Sequence, residues 1–392
     1  MSHELIDRSP DLRRLRDDGY ELEIRGGHLL IHNVPYVRAD KSVGLGTLVS
    51  TLRLAGDVTT TPDTHVATFA GDCPCDTNGV PLTHIISSSR QQVAPDLYID
   101  HTFSSKPANG YADYYEKITH YAALVAGPAQ VIDPKATPRR YAVMQADSAE
   151  SPFVYIDNAS ARAGIEAINA KLAGAKVAII GLGGSGSYLL DFIAKTPVAE
   201  IHLYDADEFA QHNAFRAPGA ATVEELRAKP KKVVYLAERY SEMHRGIRAH
   251  DEMISASNAE QLGGADVVFT CMDEGAAKAD LITALERLDV TFIDLGIGIQ
   301  ADEGALHGIV RVTTSSPGHR KHVHEGHRIP LGIGGPDDYA SNIQIAELNA
   351  LNAALAIIKW KKLRGVYADL EGEMHSLYTL DGNHLINEDS AR

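Results

Sequence analysis

The sequence predicts an α/β protein, with a mixed, largely parallel sheet across residues 155–392, preceded by a smaller α+β domain across residues 1–145. Three observations predict it. Val177-Ala-Ile-Ile180 is a short apolar run that breaks into Gly181-Leu-Gly-Gly-Ser-Gly186 and continues with helical periodicity through Tyr188–Ala194, the pattern of strand, turn and helix. Glu200–Tyr204 reads as a second strand and ends on Asp205, closing a strand–helix–strand unit. Ahead of this unit, segments alternate with period two around glycine turns, and no such unit is found there.

In chain order, Glu4–Arg16 has a capped helical pattern, and Tyr20–Arg25 and His28–His32 alternate like a hairpin around Gly26-Gly27. Val66–Phe69 and Leu82–Ile86 are further strands, and Tyr111–Ala126 is a helix ahead of the proline-containing connector Asp133–Arg140. Cys73-Pro-Cys75 lies in a turn whose acidic neighbours raise a thiol pKa. The pair therefore reads as structural, ahead of a reactive thiol or half of a zinc site with His65 or His84.

Composition narrows the class. A length of 392 residues with 44% hydrophobic content suffices for two cores. The net charge of −15, with no basic stripe, argues against a nucleic-acid partner. Three cysteines make no disulfide framework, and no membrane-length apolar run is present, so the expected compartment is the cytoplasm with no membrane association.

The glycine turn points to a nucleotide. Gly181, Gly183, Gly184 and Gly186 let backbone approach phosphate, the helix start offers free N–H groups, and Asp205 is placed to accept ribose hydroxyls. Nicotinamide dehydrogenases share this fingerprint. The next residues separate the two readings: Asp207, Asn213, Arg216, Lys229, Lys231 and Lys232 crowd the site with phosphate-type ligands. A triphosphate under attack at its α-phosphorus needs such donors, together with a metal held by carboxylates.

Together with Cys271-Met-Asp273, these motifs resemble the Rossmann-like adenylation domain of ubiquitin-activating enzymes and their bacterial ThiF-like, sulfur-carrier-activating relatives, over residues 155–365. Over most of its length the chain also resembles bacterial proteins that fuse an uncharacterised N-terminal domain to such a domain. The resemblance implies ATP- and Mg2+-dependent adenylation of the C-terminal glycine carboxylate of a ubiquitin-like protein, releasing pyrophosphate, by a homodimer. It implies Arg162, Asn213, Arg216 and Lys232 as charge-stabilising residues, with Lys229 and Lys231 as alternatives to Lys232. It places Asp207 near metal and phosphates, and Asp273 as the magnesium carboxylate at the end of the strand Asp266–Asp273. In the family an arginine of this upstream helix reaches the phosphates, usually those of the dimer partner, and the resemblance gives that role to Arg162, although the aromatic-rich motif expected around it is absent. The N-terminal domain is then expected to dock the ubiquitin-like protein or a downstream carrier.

The transfer step departs from the family. No cysteine follows Cys271, which itself reads as an inert core residue. That excludes a thioester on the usual segment and a tetracysteine zinc site. In its place stands Val312–His327, with Thr and Ser hydroxyls and histidines from His319 to His327. Its readings are an oxyester acceptor, a zinc site, or a mobile polar crossover loop with direct transfer to another molecule, the last being preferred. Thr291–Ile299 is a core strand whose glycines admit a substrate backbone. Asp337–Trp360 reads as a long helix, and Ser376–Leu380 with His384–Ile386 as a closing hairpin around Asp381-Gly382. Competing functions are a peptide-adenylating enzyme, an inactive scaffold and, last, a dehydrogenase.

Overall fold

The structure, a computed structural model, describes residues 2–143, 151–273, 275–331 and 343–391. It divides into two compact units, Met1–Met144 with Asn158–Ala163, and Gln145–Asp157 with Gly164–Arg392.

In the first unit, α1 (Ser2–Arg8) and α2 (Pro10–Asp17) replace the single expected helix, because Pro10 has no N–H to continue one and instead opens the next. The sheet runs β1 (Glu21–Arg25), β2 (His28–Val37), β3 (Val43–Thr51), then, past a ribbon of β4 (Leu54–Ala55) and β5 (Val58–Thr59), β6 (Val66–Ala70), β7 (Ile85–Ala94) and β8 (Leu97–Ser104). Its spatial order is β1-β2-β3-β6-β8-β7, all antiparallel. The expected strand Leu82–Ile86 starts only at Ile85. The helix expected at Tyr111–Ala126 is α3 (Tyr114–Ile132), capped by Asp113 accepting from the Glu116 N–H. Its apolar face, with Tyr114, Ile118 and Tyr121, shares one core with Leu29, Ile31, Phe69 and Phe103. The short α4 (Asn158–Ala163) belongs to this unit.

The second unit begins with α5 (Glu166–Asn169) and the predicted nucleotide unit, β9 (Lys176–Ile180), α6 (Gly184–Ile193) and β10 (Glu200–Tyr204). It continues through α7 (Gln211–Ala214), α8 (Val223–Ala228), α9 (Lys232–Ser241), β11 (Ile247–His250), β12 (Val267–Thr270), α10 (Ala276–Arg287), β13 (Phe292–Asp302), β14 (Ala305–Ser315), α11 (Lys321–Glu325), α12 (Ala346–Leu363), β15 (His375–Thr379) and β16 (His384–Glu388). The sheet order is β11-β10-β9-β12-β13-β14-β15-β16; β11 to β13 are parallel neighbours and the last three pairings are antiparallel. One face buries Val177, Ile179 and Phe269 under α6 and the Ala353, Ile357 and Trp360 side of α12. The other buries Ala178, Ile180 and Phe292 under α10. Residues 337–342 of the expected long helix lie outside the described residues, and α12 starts at Ala346. Among the described residues no helix is long and apolar enough to cross a membrane.

Because β10 and β12 flank β9 on opposite sides, the strand order reverses there, and the carboxyl ends of these strands form the crevice where such sheets bind ligands.

Candidate active site

The glycine turn fills that crevice. Gly181 has φ +85°, and a Cβ on it would come 2.6 Å from the Cys271 carbonyl oxygen. Gly186 packs so closely that a Cβ would overlap the Gly181 carbonyl, and one on Gly184 would overlap the Asn349 amide. Gly183, the residue before α6, has no protein atom within 4 Å of a Cβ position. Three glycines therefore serve packing, and one leaves open space at a helix start.

Asp205 is buried and already bonded: its Oδ2 accepts from the Leu182 N–H at 2.7 Å, its Oδ1 from the Asp207 N–H at 2.9 Å. It thus ties the glycine turn to the end of β10. Lys232, buried in the first turn of α9, donates to Asp207 Oδ2 at 2.7 Å and lies 3.5 Å from Asp205 Oδ2. The alternatives point elsewhere. Lys231 donates to the Ala206 carbonyl at 2.7 Å and pairs with Asp251, whereas Lys229 is exposed in the left-handed residue ending α8.

Asn213 is buried on α7, its Oδ1 accepting from the Ala210 N–H at 2.9 Å. Its Nδ2 and the Arg216 Nε are both buried with no hydrogen-bond partner among the described residues. Burial pulls the Arg216 guanidinium below its usual pKa, with Asp273 opposing the shift. Asp273 lies three residues past β12 with its side chain exposed. His212, which the sequence did not single out, stands beside Arg216 and Lys232; burial first, then these two cations, lowers its pKa. Two orphaned donors lie on one short segment with His212, which is beside Arg216 and Lys232, an arrangement suited to an anion. Nucleotide phosphates fit it. Asp273, and Asp207 if released from Lys232, could hold a magnesium ion shared with phosphates, which takes only one or two protein carboxylates.

Arg162 belongs to the other unit, exposed on α4. Cys271 lies at the end of β12, where burial pushes its thiol pKa up. Burial likewise raises Cys73 and Cys75.

The segment Val312–His327 corrects one reading. Thr313, Thr314 and Ser315 are buried at the end of β14, whereas Ser316, just past it, is half-buried. The histidines form no loose loop: α11 docks through buried Val323, His322 Nε2 bonds the Thr314 carbonyl at 2.8 Å, and His324 pairs with Glu286. Among the described residues no group of three His, Cys, Asp or Glu is placed to hold a metal. Past β12, β13 continues through Gly296, beside the Arg311 side chain, and Gly298, which faces Ile309.

Residues 158–317 match the ThiF family. This stretch is a ThiF-family domain. Residues 10–158 match a domain of unknown function, DUF6791. The chain is similar to ubiquitin-like modifier-activating enzyme 5 of Culex quinquefasciatus, 26% identical over 144 residues, covering 34% of this chain and 36% of the relative. It is also similar to tRNA threonylcarbamoyladenosine dehydratase of Haemophilus influenzae, 27% identical over 133 residues, covering 32% and 49%. The chain thus spans about a third to a half of the length of these curated relatives. Among solved structures, E. coli MccB with ATP superposes with TM-score 0.43 at 16% identity, covering 57% of this chain and 66% of that one. Selenomethionine PaaA does so with TM-score 0.45 at 17% identity, covering 69% and 92%.

Proposed function

We propose that the ThiF-family domain adenylates the C-terminal glycine carboxylate of a ubiquitin-like protein: the carboxylate oxygen bonds to the α-phosphorus of ATP, and pyrophosphate leaves. The observation that carries this reading is the pair of buried, unpartnered donors, Asn213 Nδ2 and Arg216 Nε, beside Lys232 at the switch point of the sheet. ATP supplies the activated phosphorus. The chain supplies charge stabilisation from Asn213, Arg216 and Lys232, and Asp273 holds magnesium against the phosphates. Asp205 orders the glycine turn, with ribose contact as a further role. The Gly296 and Gly298 stretch of β13 takes an extended C-terminal tail, since neither presents a side chain.

Transfer onward goes to a separate acceptor, a reading supported by the burial of Thr313, Thr314 and Ser315, three of the four hydroxyls of this segment. The protein works as a cytoplasmic homodimer in which Arg162 reaches the partner's phosphates, and the DUF6791 domain docks the protein substrate or a carrier.

The test is hydroxylamine trapping. Incubation with ATP, magnesium and a ubiquitin-like protein ending in glycine is expected to convert its terminus to a hydroxamate, read by intact-mass spectrometry. The same trapping with only a short peptide would replace the folded substrate by a peptide; none with either would remove the adenylation reading.

A further inference from the structure

Behind Asp273 lies a buried charged cluster that the proposed reaction does not use. Lys278, on the first turn of α10, is 2% exposed, and its ammonium lies 2.8 Å from Asp294 Oδ1. Asp294, 0% exposed on β13, also accepts from Thr270 Oγ1 at 2.6 Å and from Arg311 Nη2 at 2.7 Å. These neighbours hold its carboxyl below the usual carboxylate range against the opposing effect of burial, which is the largest. Arg311 is in turn fixed by Thr313 Oγ1 at 2.9 Å. The same Lys278 ammonium donates to the Met272 carbonyl at 3.2 Å.

That last bond matters because of where the ladder stops. The last strand bond of this segment is Cys271 N–H to the Ile180 carbonyl at 2.8 Å, and the Cys271 carbonyl packs on Gly181. Beyond it, Met272 leads directly to Asp273. We propose that Lys278 is a positioning residue: anchored by Asp294, it holds the Met272 carbonyl and thereby aims the Asp273 carboxylate at its metal. A lysine suits the task, since one ammonium offers three donors for a carboxylate and a carbonyl at once. Burying it is tolerated because Asp294 neutralises it, and Arg311 and Thr270 satisfy the remaining carboxylate lone pairs.

This inference rests on the proposed metal role of Asp273, and the experiment separates the two. The full chain is titrated calorimetrically with ATP in excess magnesium and with ATP in EDTA. In Lys278→Met the affinity for magnesium–ATP is expected to fall by about tenfold or more, the usual cost of losing a residue that orients a metal ligand. Affinity for metal-free ATP is expected to hold within about twofold, since the phosphate donors are untouched. Lys278→Arg, which keeps a cation and several donors, is expected to recover most of the loss. Should the Met variant not fold, Lys278→Gln carries the same expectation. Parallel loss of both affinities, or no loss of either, overturns the inference. If Asp273→Asn itself leaves magnesium–ATP binding unchanged, the metal role of Asp273 is wrong and this inference falls with it.

Discussion

Arg216 Nε is buried with no hydrogen-bond partner among the described residues, a desolvated donor that a bound anion would satisfy. Arg216→Ala is therefore expected to weaken ATP binding by about tenfold or more. Its melting temperature should stay level or rise, because an uncompensated group is removed. Calorimetric titration and thermal melts check both. His375 makes a pH prediction. It is 3% exposed, bonds Thr313 Oγ1 at 2.9 Å, and burial, reinforced by Arg328 and Arg311, lowers its pKa to about 4. The unfolded chain then binds the proton first, so stability is lost as pH falls from about 6.5 to about 4, by up to about 3 kcal/mol. His375→Asn should flatten that part of a urea-denaturation series relative to the parent. Asn213, Arg216 and Asp273 were named from motif spacing and resemblance, and the structure brings Arg216 and Asp273 within electrostatic reach of one another. Lys278, Asp294 and Arg311 were not legible in the sequence, because they come from α10, β13 and β14 and meet only through the fold.

At the scale of elements, α6 sits where its glycines allow. Gly186→Ala puts a Cβ into the Gly181 carbonyl, a backbone group that cannot step aside, and should cost about 1–3 kcal/mol in denaturant unfolding. Gly183→Ala meets open space and should cost under about 1 kcal/mol, yet it places a methyl where phosphate is expected and should weaken ATP binding. If both variants melt alike and bind ATP alike, the turn is only a packing device. The parallel strands were readable because burial on both faces makes them continuous apolar runs, as in Val177–Ile180 and Val267–Thr270. β7 was missed beyond Ile86 because Ser87–Gln92 is exposed on an edge strand and carries no apolar signal. β3, interrupted by Gly44 and Gly46, was missed because glycine weakens a strand pattern; a Cβ on Gly46 would strike Phe69. The helix expected to end at Ala126 runs on to Ile132 with Pro128 inside it.

For the molecule as a whole, a chain of net charge −15 gathers Arg216 and Lys232, beside His212, at the carboxyl ends of β9, β10 and β12, where the proposed triphosphate would bind. The proposed homodimer makes a prediction of its own. If Arg162 serves the partner's site, Arg162→Ala and Asp273→Asn should each be inactive alone, yet regain activity when co-expressed, since one mixed site keeps both residues. No recovery would confine each site to one chain. The central claim is adenylation, and pyrophosphate–ATP exchange measures it most directly. With a ubiquitin-like protein ending in glycine, label should pass from pyrophosphate into ATP, and the exchange should vanish in Arg216→Ala and Asp273→Asn. Exchange that never appears with any carboxylate-bearing protein or peptide, from a chain that still binds those partners, would contradict the account and leave a scaffold.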